Sequence, residues 1–155
     1  MKLTFGKPDS LISNLLPSTS WLHSWADLIA SSLIWLAAAI AIASNWTRFE
    51  SSWSTVLHRS NWLWLGVSWL SLKIIHELSH AVACRRHGGE VRDSGIFFIL
   101  LAPVAEVDVT SSLSFPSRWK RIQTAAAGIY AELTVAALAA IAWAVTSSPL
   151  LSHHL

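Results

Sequence analysis

The sequence predicts an all-α membrane protein with about three transmembrane helices and a short β or re-entrant segment between the second and third helices. Three observations support this fold class. Hydrophobic residues make up 53% of the 155 residues and charged residues only 13%, whereas about 25% of a typical soluble domain is charged. Several apolar segments reach the thickness of a bilayer, and ten tryptophans can serve its interfaces. This composition argues against a disordered chain, a secreted disulfide scaffold and an ordinary soluble enzyme.

Three apolar segments are long enough to cross a bilayer as helices, which takes about 20 residues. They are residues 25–44, 62–84 and 122–146. The N-terminal residues lack the compact charged and apolar layout of a cleavable signal peptide, so we expect the first segment to anchor the mature chain. Residues 1–155 are treated as one membrane domain.

The segments between these helices are shorter or polar. Residues 95–107 are apolar but contain Pro103 and are too short to span, so they predict a strand, a hairpin or a re-entrant segment. Residues 45–61 are polar and predict a loop. Gly88 and Gly89 follow the second helix and predict its end.

The positive charges predict the orientation of the helices. Arginines and lysines follow the second helix and precede the third, and cytoplasmic flanks collect such residues. We therefore expect this connection and the N-terminus to be cytoplasmic. No basic stretch is long enough to indicate nucleic-acid binding. The basic residues concerned are Arg85, Arg86, Arg92, Arg118, Lys120 and Arg121.

The second helix carries the motif His-Glu-x-x-His. His76 and His80 are four residues apart, so a helix places both imidazoles on one face, where they can bind one zinc ion. Glu77 lies beside them, where its carboxylate can take a proton from a zinc-activated water, as in metalloproteases. The alternative is a set of polar residues packed between helices, which is disfavoured because ionisable groups are costly inside a membrane.

The surroundings of this motif resemble the site-2 protease family of intramembrane zinc metallopeptidases, and in particular a bacterial branch of peptide zinc metalloproteases. The similarity covers roughly residues 72–143. Three blocks carry it in order: residues 74–89 around the motif, residues 103–122, and the Ala-Ala-Gly block at 126–133. The resemblance implies hydrolysis of peptide bonds in or near the membrane, with zinc as the cofactor. It implies His76 and His80 as ligands and Glu77 as the catalytic base. The bacterial branch also implies an inner (plasma) membrane protein.

The sequence departs from this family in two places. Family members complete the zinc site with an aspartate from an Asp-Gly motif on a later helix, and this chain contains no Asp-Gly dipeptide. The bacterial branch tends to have tyrosine where this chain has Glu106. The third ligand is therefore open. We expect it from Glu132, an intramembrane carboxylate, from Asp108, which follows the short apolar segment, or from a partner subunit or oligomer.

Two functions remain open at this point. The first is an intramembrane zinc metalloprotease that acts on transmembrane or membrane-associated peptides within the lipid bilayer. The second is a truncated, catalytically incomplete family member that serves as a membrane peptide-binding or accessory subunit. The missing Asp-Gly motif favours the second, whereas the intact set of His76, Glu77 and His80 favours the first.

Overall fold

The computed structural model describes residues 2–6, 12, 24–91, 93–99 and 102–146. In these residues the chain forms four α-helices, three strands and two short 3-10 helices. In chain order they are β1 (Lys2–Gly6), α1 (Trp25–Ser44), α2 (Trp46–Val56), a 3-10 helix (Arg59–Asn61), α3 (Trp62–Arg86), β2 (Ser94–Ile99), β3 (Ala102–Val107), a 3-10 helix (Thr110–Ser114) and α4 (Arg118–Val145).

The contacts divide the chain into two compact units. The sheet-containing unit comprises residues 1–24 and 72–131, and the helical unit comprises residues 25–71 and 132–155. The expectation of one membrane domain over residues 1–155 stays a prediction.

The sheet-containing unit holds an antiparallel three-stranded sheet in the order β1-β2-β3. Strands β2 and β3 form a hairpin in which Ser94 pairs with Val107 and Ile99 with Ala102. The hairpin confirms the prediction for residues 95–107. The mainly helical fold with a short β segment is confirmed, but strand β1 was not predicted. The reason is that β1 is held by pairing to a strand about 90 residues away, which no local pattern reveals.

The C-terminal turns of α3 form the core of the sheet-containing unit. Ala81 and Val82 are buried and cluster with Val91 and Ile12. The helix ends as the sequence predicts. Gly88 adopts a φ of +86°, and the main-chain N–H of Gly89 donates to the carbonyl of Cys84 at 3.0 Å. This is a Schellman end, in which glycine takes the left-handed conformation that other residues adopt at a cost.

The helical unit packs its helices through a few specific contacts. The indole Nε1 of Trp35 on α1 donates to the hydroxyl of Thr134 on α4 at 3.3 Å. The guanidinium of Arg48 on α2 lies 4.5 Å from the ring centre of Trp143 and donates to the carbonyl of Thr146 at 3.0 Å. That carbonyl lies just past the end of α4, where a cation is favoured by the helix dipole.

The prediction of a loop over residues 45–61 is wrong, because most of this segment is helical. Helix α2 has aromatic residues spaced along one face, and the rings of Phe49 and Trp143 lie edge to face at 6.1 Å. Trp46 and Trp53 flank Phe49, with ring centres within 5.7 Å of it. The many serines and threonines between these rings hid an amphipathic helix whose apolar face is stabilised by tertiary contacts.

Two helices, α1 and α4, are long and apolar enough to cross a membrane by length and composition. Only 17% of their apolar windows is buried, so most of their side chains face outward, as a lipid-facing helix requires and a soluble core helix does not. Helix α3 has the length but is not among the candidate spans of the described residues, and it carries Lys73, Glu77 and two terminal arginines. Three transmembrane helices are therefore not confirmed. Helix α4 begins four residues before the predicted start at 122.

Replacing Gly89 by alanine should destabilise the fold. A Cβ at this position would lie 2.6 Å from Sγ of Cys84, 2.8 Å from Cζ of Phe115 and 2.9 Å from the hydroxyl of Ser111. Overpacking of this kind costs about 1–3 kcal/mol. We expect Gly89→Ala to lower the free energy of unfolding in detergent by this amount.

Gly66→Ala is the matched control, because a Cβ there meets no atom within 4 Å and alanine is the better helix former. Equal stability of the two variants would contradict the tight packing at Gly89.

Candidate metal centre

Helix α3 places His76 and His80 one turn apart on one face. Their Nε2 atoms are 3.0 Å apart, and their rings are inclined by 72° with centres 4.7 Å apart. Both side chains are half-buried. The two histidines share a face because the helical period of 3.6 residues puts positions i and i+4 on the same side.

A hydrogen bond from the other side of the ring orients His80. Its Nδ1 donates to the main-chain carbonyl of Thr124 on α4 at 2.7 Å. A carbonyl oxygen can only accept, so Nδ1 carries a proton, and in the neutral ring the lone pair is then on Nε2. Metal-binding histidines are held in this way, with the second nitrogen bonded to a carbonyl or carboxylate. Thr124 is buried to 1% exposure, so water does not compete for this bond.

Glu77 faces the end of strand β3. Its Oε2 accepts a hydrogen bond from the main-chain N–H of Val107 at 3.2 Å, which links α3 to the sheet. A carboxylate has about four acceptor positions, so this contact leaves Glu77 able to accept further hydrogen bonds, including one from a water molecule. The side chain is half-buried.

A cavity of about 500 Å³ opens beside His80. Thr124 and Ala125 of α4 line it on one side, and Val107 and Asp108 line it where β3 ends. The cavity is large enough for water and a peptide side chain to reach the imidazole.

Asp108 therefore lies on the same cavity as His80. Its Oδ1 accepts hydrogen bonds from the N–H and the hydroxyl of Thr110, at 3.0 and 2.6 Å. These bonds give Asp108 a turn-capping role, and its role as a ligand stays a prediction. Glu132 is half-buried on α4 within the helical unit, and its role as a ligand also stays a prediction.

The two imidazoles fit a zinc ion by the chemistry and direction of their donors. Two nitrogens bound to one tetrahedral zinc at about 2.05 Å lie about 3.3 Å apart, close to the 3.0 Å between the Nε2 atoms here. In the tautomer set by the bond to Thr124, the lone pair of His80 is on Nε2, the atom that faces Nε2 of His76. Within the part of the chain that the structure describes, no group of three or more His, Cys, Asp or Glu side chains is arranged around a metal position.

Two residues that shape this centre were missed from the sequence. Thr124 acts through its main-chain carbonyl, which leaves no mark on residue type. Gly128 lies against the ring of His76, where a Cβ would approach to 2.5 Å. The Ala-Ala-Gly block that contains Gly128 contributes to the sequence analysis only through the family resemblance. The contact of Gly128 with the His76 ring depends on how α3 and α4 pack together.

Two helix-borne imidazoles with an adjacent carboxylate are the arrangement typical of zinc metallopeptidases. The profile of peptidase family M50 matches residues 65–153, which is more than half of the 155 residues. The chain belongs to peptidase family M50, the site-2 protease family. Members of this family are membrane-embedded zinc metalloproteases. Comparisons with curated proteins and with solved structures return no match.

Proposed function

We propose that the protein is an intramembrane zinc metalloprotease that hydrolyses peptide bonds in or near the bilayer. The supporting observation is the pair of Nε2 atoms 3.0 Å apart, with His80 held by a carbonyl bond to Thr124 in the tautomer that binds a metal. Membership of peptidase family M50 supports a metallopeptidase.

The residues of this chain would divide the chemistry between them. His76 and His80 would hold the zinc ion, which supplies Lewis acidity to the scissile carbonyl and to the attacking water. Glu77 would take the proton of that water and later return it to the leaving amine nitrogen. Its contact with the N–H of Val107 holds the carboxylate between the helix and the strand, while the cavity beside His80 admits the peptide and water.

We propose three alternative candidates for the third zinc ligand. Glu132 offers an intramembrane carboxylate on α4, Asp108 offers a carboxylate on the cavity of His80, and a partner subunit or oligomer offers a donor from outside the chain. Carboxylate oxygens bind zinc alongside histidine, so each candidate is chemically adequate.

We also propose that α3 crosses the membrane together with α1 and α4, with the N-terminus and the connection from α3 to α4 in the cytoplasm. Many of its large apolar side chains are exposed in the protein, including Leu63 and Trp64, as expected of a surface that faces lipid. Lys73 and Glu77 of α3 would then lie in the membrane, where charged residues are costly and are retained for function. As part of the same proposal, the protein lies in the inner membrane of a bacterium and its substrate is a peptide within the bilayer.

The topology is tested by labelling introduced cysteines with a membrane-impermeant maleimide. Ser54→Cys on α2 and Ser114→Cys before α4 both replace exposed serines, and the natural Cys84 is fully buried. In spheroplasts we expect Ser54→Cys to react at once and Ser114→Cys to react only after permeabilisation. Labelling of Ser114→Cys in intact spheroplasts would contradict the proposed orientation.

Zinc content identifies the ligands. The purified protein in detergent should hold one zinc per site, and His76→Ala and His80→Ala should both lose it, because a single imidazole does not retain zinc. Loss of zinc in Glu132→Ala or in Asp108→Ala would identify the third ligand. Loss in neither, with zinc in the wild type that disappears on dilution to monomer, would assign it to a partner subunit.

Glu50→Ala is the matched control, since it removes an exposed carboxylate on α2 that does not line the cavity beside His80. A wild-type protein without zinc, prepared under conditions that load other M50 members, would refute the protease proposal. It would leave the accessory-subunit alternative.

Glu77→Gln separates catalysis from metal binding. The amide keeps the size of the side chain but cannot accept the proton, so cleavage of a membrane peptide should fall by about 10²–10⁴-fold while the zinc content stays that of the wild type. Unchanged cleavage in Glu77→Gln would exclude Glu77 as the base.

A further inference from the structure

Gly128 on α4 lies so close to the Nε2 end of the His76 ring that no side chain would fit between them. A Cβ built on Gly128 would lie 2.5 Å from both Cδ2 and Nε2 of His76 and 2.6 Å from Cε1. Side-chain carbons essentially never approach to such distances. All three atoms belong to the end of the imidazole that carries the metal-binding nitrogen. The backbone of α4 is therefore in direct contact with the part of His76 that faces His80.

The same helix face also orients the second histidine. The carbonyl of Thr124 accepts from His80, and Gly128 contacts His76 one turn further along α4. The spacing of four residues on α4 matches the spacing of four between the histidines on α3. One turn of α4 thus contacts both histidines of one turn of α3. Thr124 accepts a hydrogen bond from His80, and Gly128 is in van der Waals contact with His76.

We propose that Gly128 is a positioning residue for the metal centre, because its missing side chain lets the ring of His76 lie where its Nε2 meets that of His80. This inference rests on the proposed function, which assigns the two histidines to zinc. Gly128 contacts a ligand ring and takes no part in the reaction itself.

The atoms that a Cβ would meet determine what a substitution does. They belong to the far end of a side chain with two rotatable bonds, and none of them is backbone. A methyl group at position 128 would therefore turn the ring of His76 away before it separates the helices, since a rotamer change is the easier adjustment. Alanine also suits a helix better than glycine. We accordingly expect Gly128→Ala to damage the metal site while the metal-free protein still folds.

The test compares Gly128→Ala with Gly66→Ala and the wild type. Gly66 is the matched control, because it lies within α3 and a Cβ there meets nothing within 4 Å. Zinc affinity is measured by competition with a chelator, the ligand geometry by the visible absorption of the Co²⁺-substituted protein, and folding by thermal unfolding of the metal-free protein. In Gly128→Ala we expect zinc affinity to fall about 10–100-fold, the range typical for residues that orient a ligand, with an altered Co²⁺ spectrum. In Gly66→Ala both should match the wild type.

A double-mutant cycle separates positioning of the ring from helix packing. In a His76→Ala background the ring is gone, so adding Gly128→Ala should not lower the unfolding temperature of the metal-free protein, and the better helix propensity of alanine should raise it slightly if anything. An equal loss of stability in both backgrounds would show that Gly128 serves helix packing only and would overturn the proposal.

Wild-type zinc affinity and Co²⁺ spectrum in Gly128→Ala would also overturn it. A wild-type protein that binds no zinc at all is a different result, because it would refute the proposed function while the cycle in the metal-free protein still reports on the contact with His76.

Discussion

The contact between one turn of α3 and one turn of α4 in the sheet-containing unit is the constraint on which the candidate site depends. Its centre is the hydrogen bond from His80 to the carbonyl of Thr124. This bond selects the tautomer of the imidazole, and the selection decides whether Nε2 can bind a metal. Because Thr124 is buried, the bond forms only when the helices meet in this register. The orientation of His80 therefore depends on how α3 packs against α4.

Close approach of backbone to side chain recurs around this site. Gly128 allows it at the ring of His76, and Gly89 allows it where the chain leaves α3 and meets Cys84. The hydroxyl of Ser111 lies 3.3 Å from Sγ of Cys84 and donates to the carbonyl of Glu90 at 2.7 Å, so the polar groups of this turn are satisfied locally. Small residues at such contacts are typical of membrane helices, whose association depends on packing and hydrogen bonds because lipid offers no hydrophobic driving force.

The distribution of hydropathy reflects a division of roles among the helices. Helices α1 and α4 are apolar enough to qualify as membrane spans, whereas α3 gives up hydropathy to carry the histidines and Glu77. On a helix that crosses the membrane, as proposed for α3, ionisable groups are costly and are retained for function. The match to peptidase family M50 over residues 65–153 covers the functional helix and its partner α4, and leaves α1 and α2 outside.

The sequence by itself determined the features that depend on local periodicity. Two histidines four residues apart on an apolar helix share a face whatever the rest of the chain does, and Gly88 ends that helix because a left-handed residue is needed there. For residues 95–107 the local pattern predicted a strand, a hairpin or a re-entrant segment, and the structure shows a hairpin. Tertiary structure alone decided the pairing of β1 with β2, the helical state of residues 46–56, and the roles of Thr124, Val107 and Gly128 at the histidines and Glu77. Main-chain donors and acceptors have no residue signature, and a glycine acquires its role only from the side chain that packs against it.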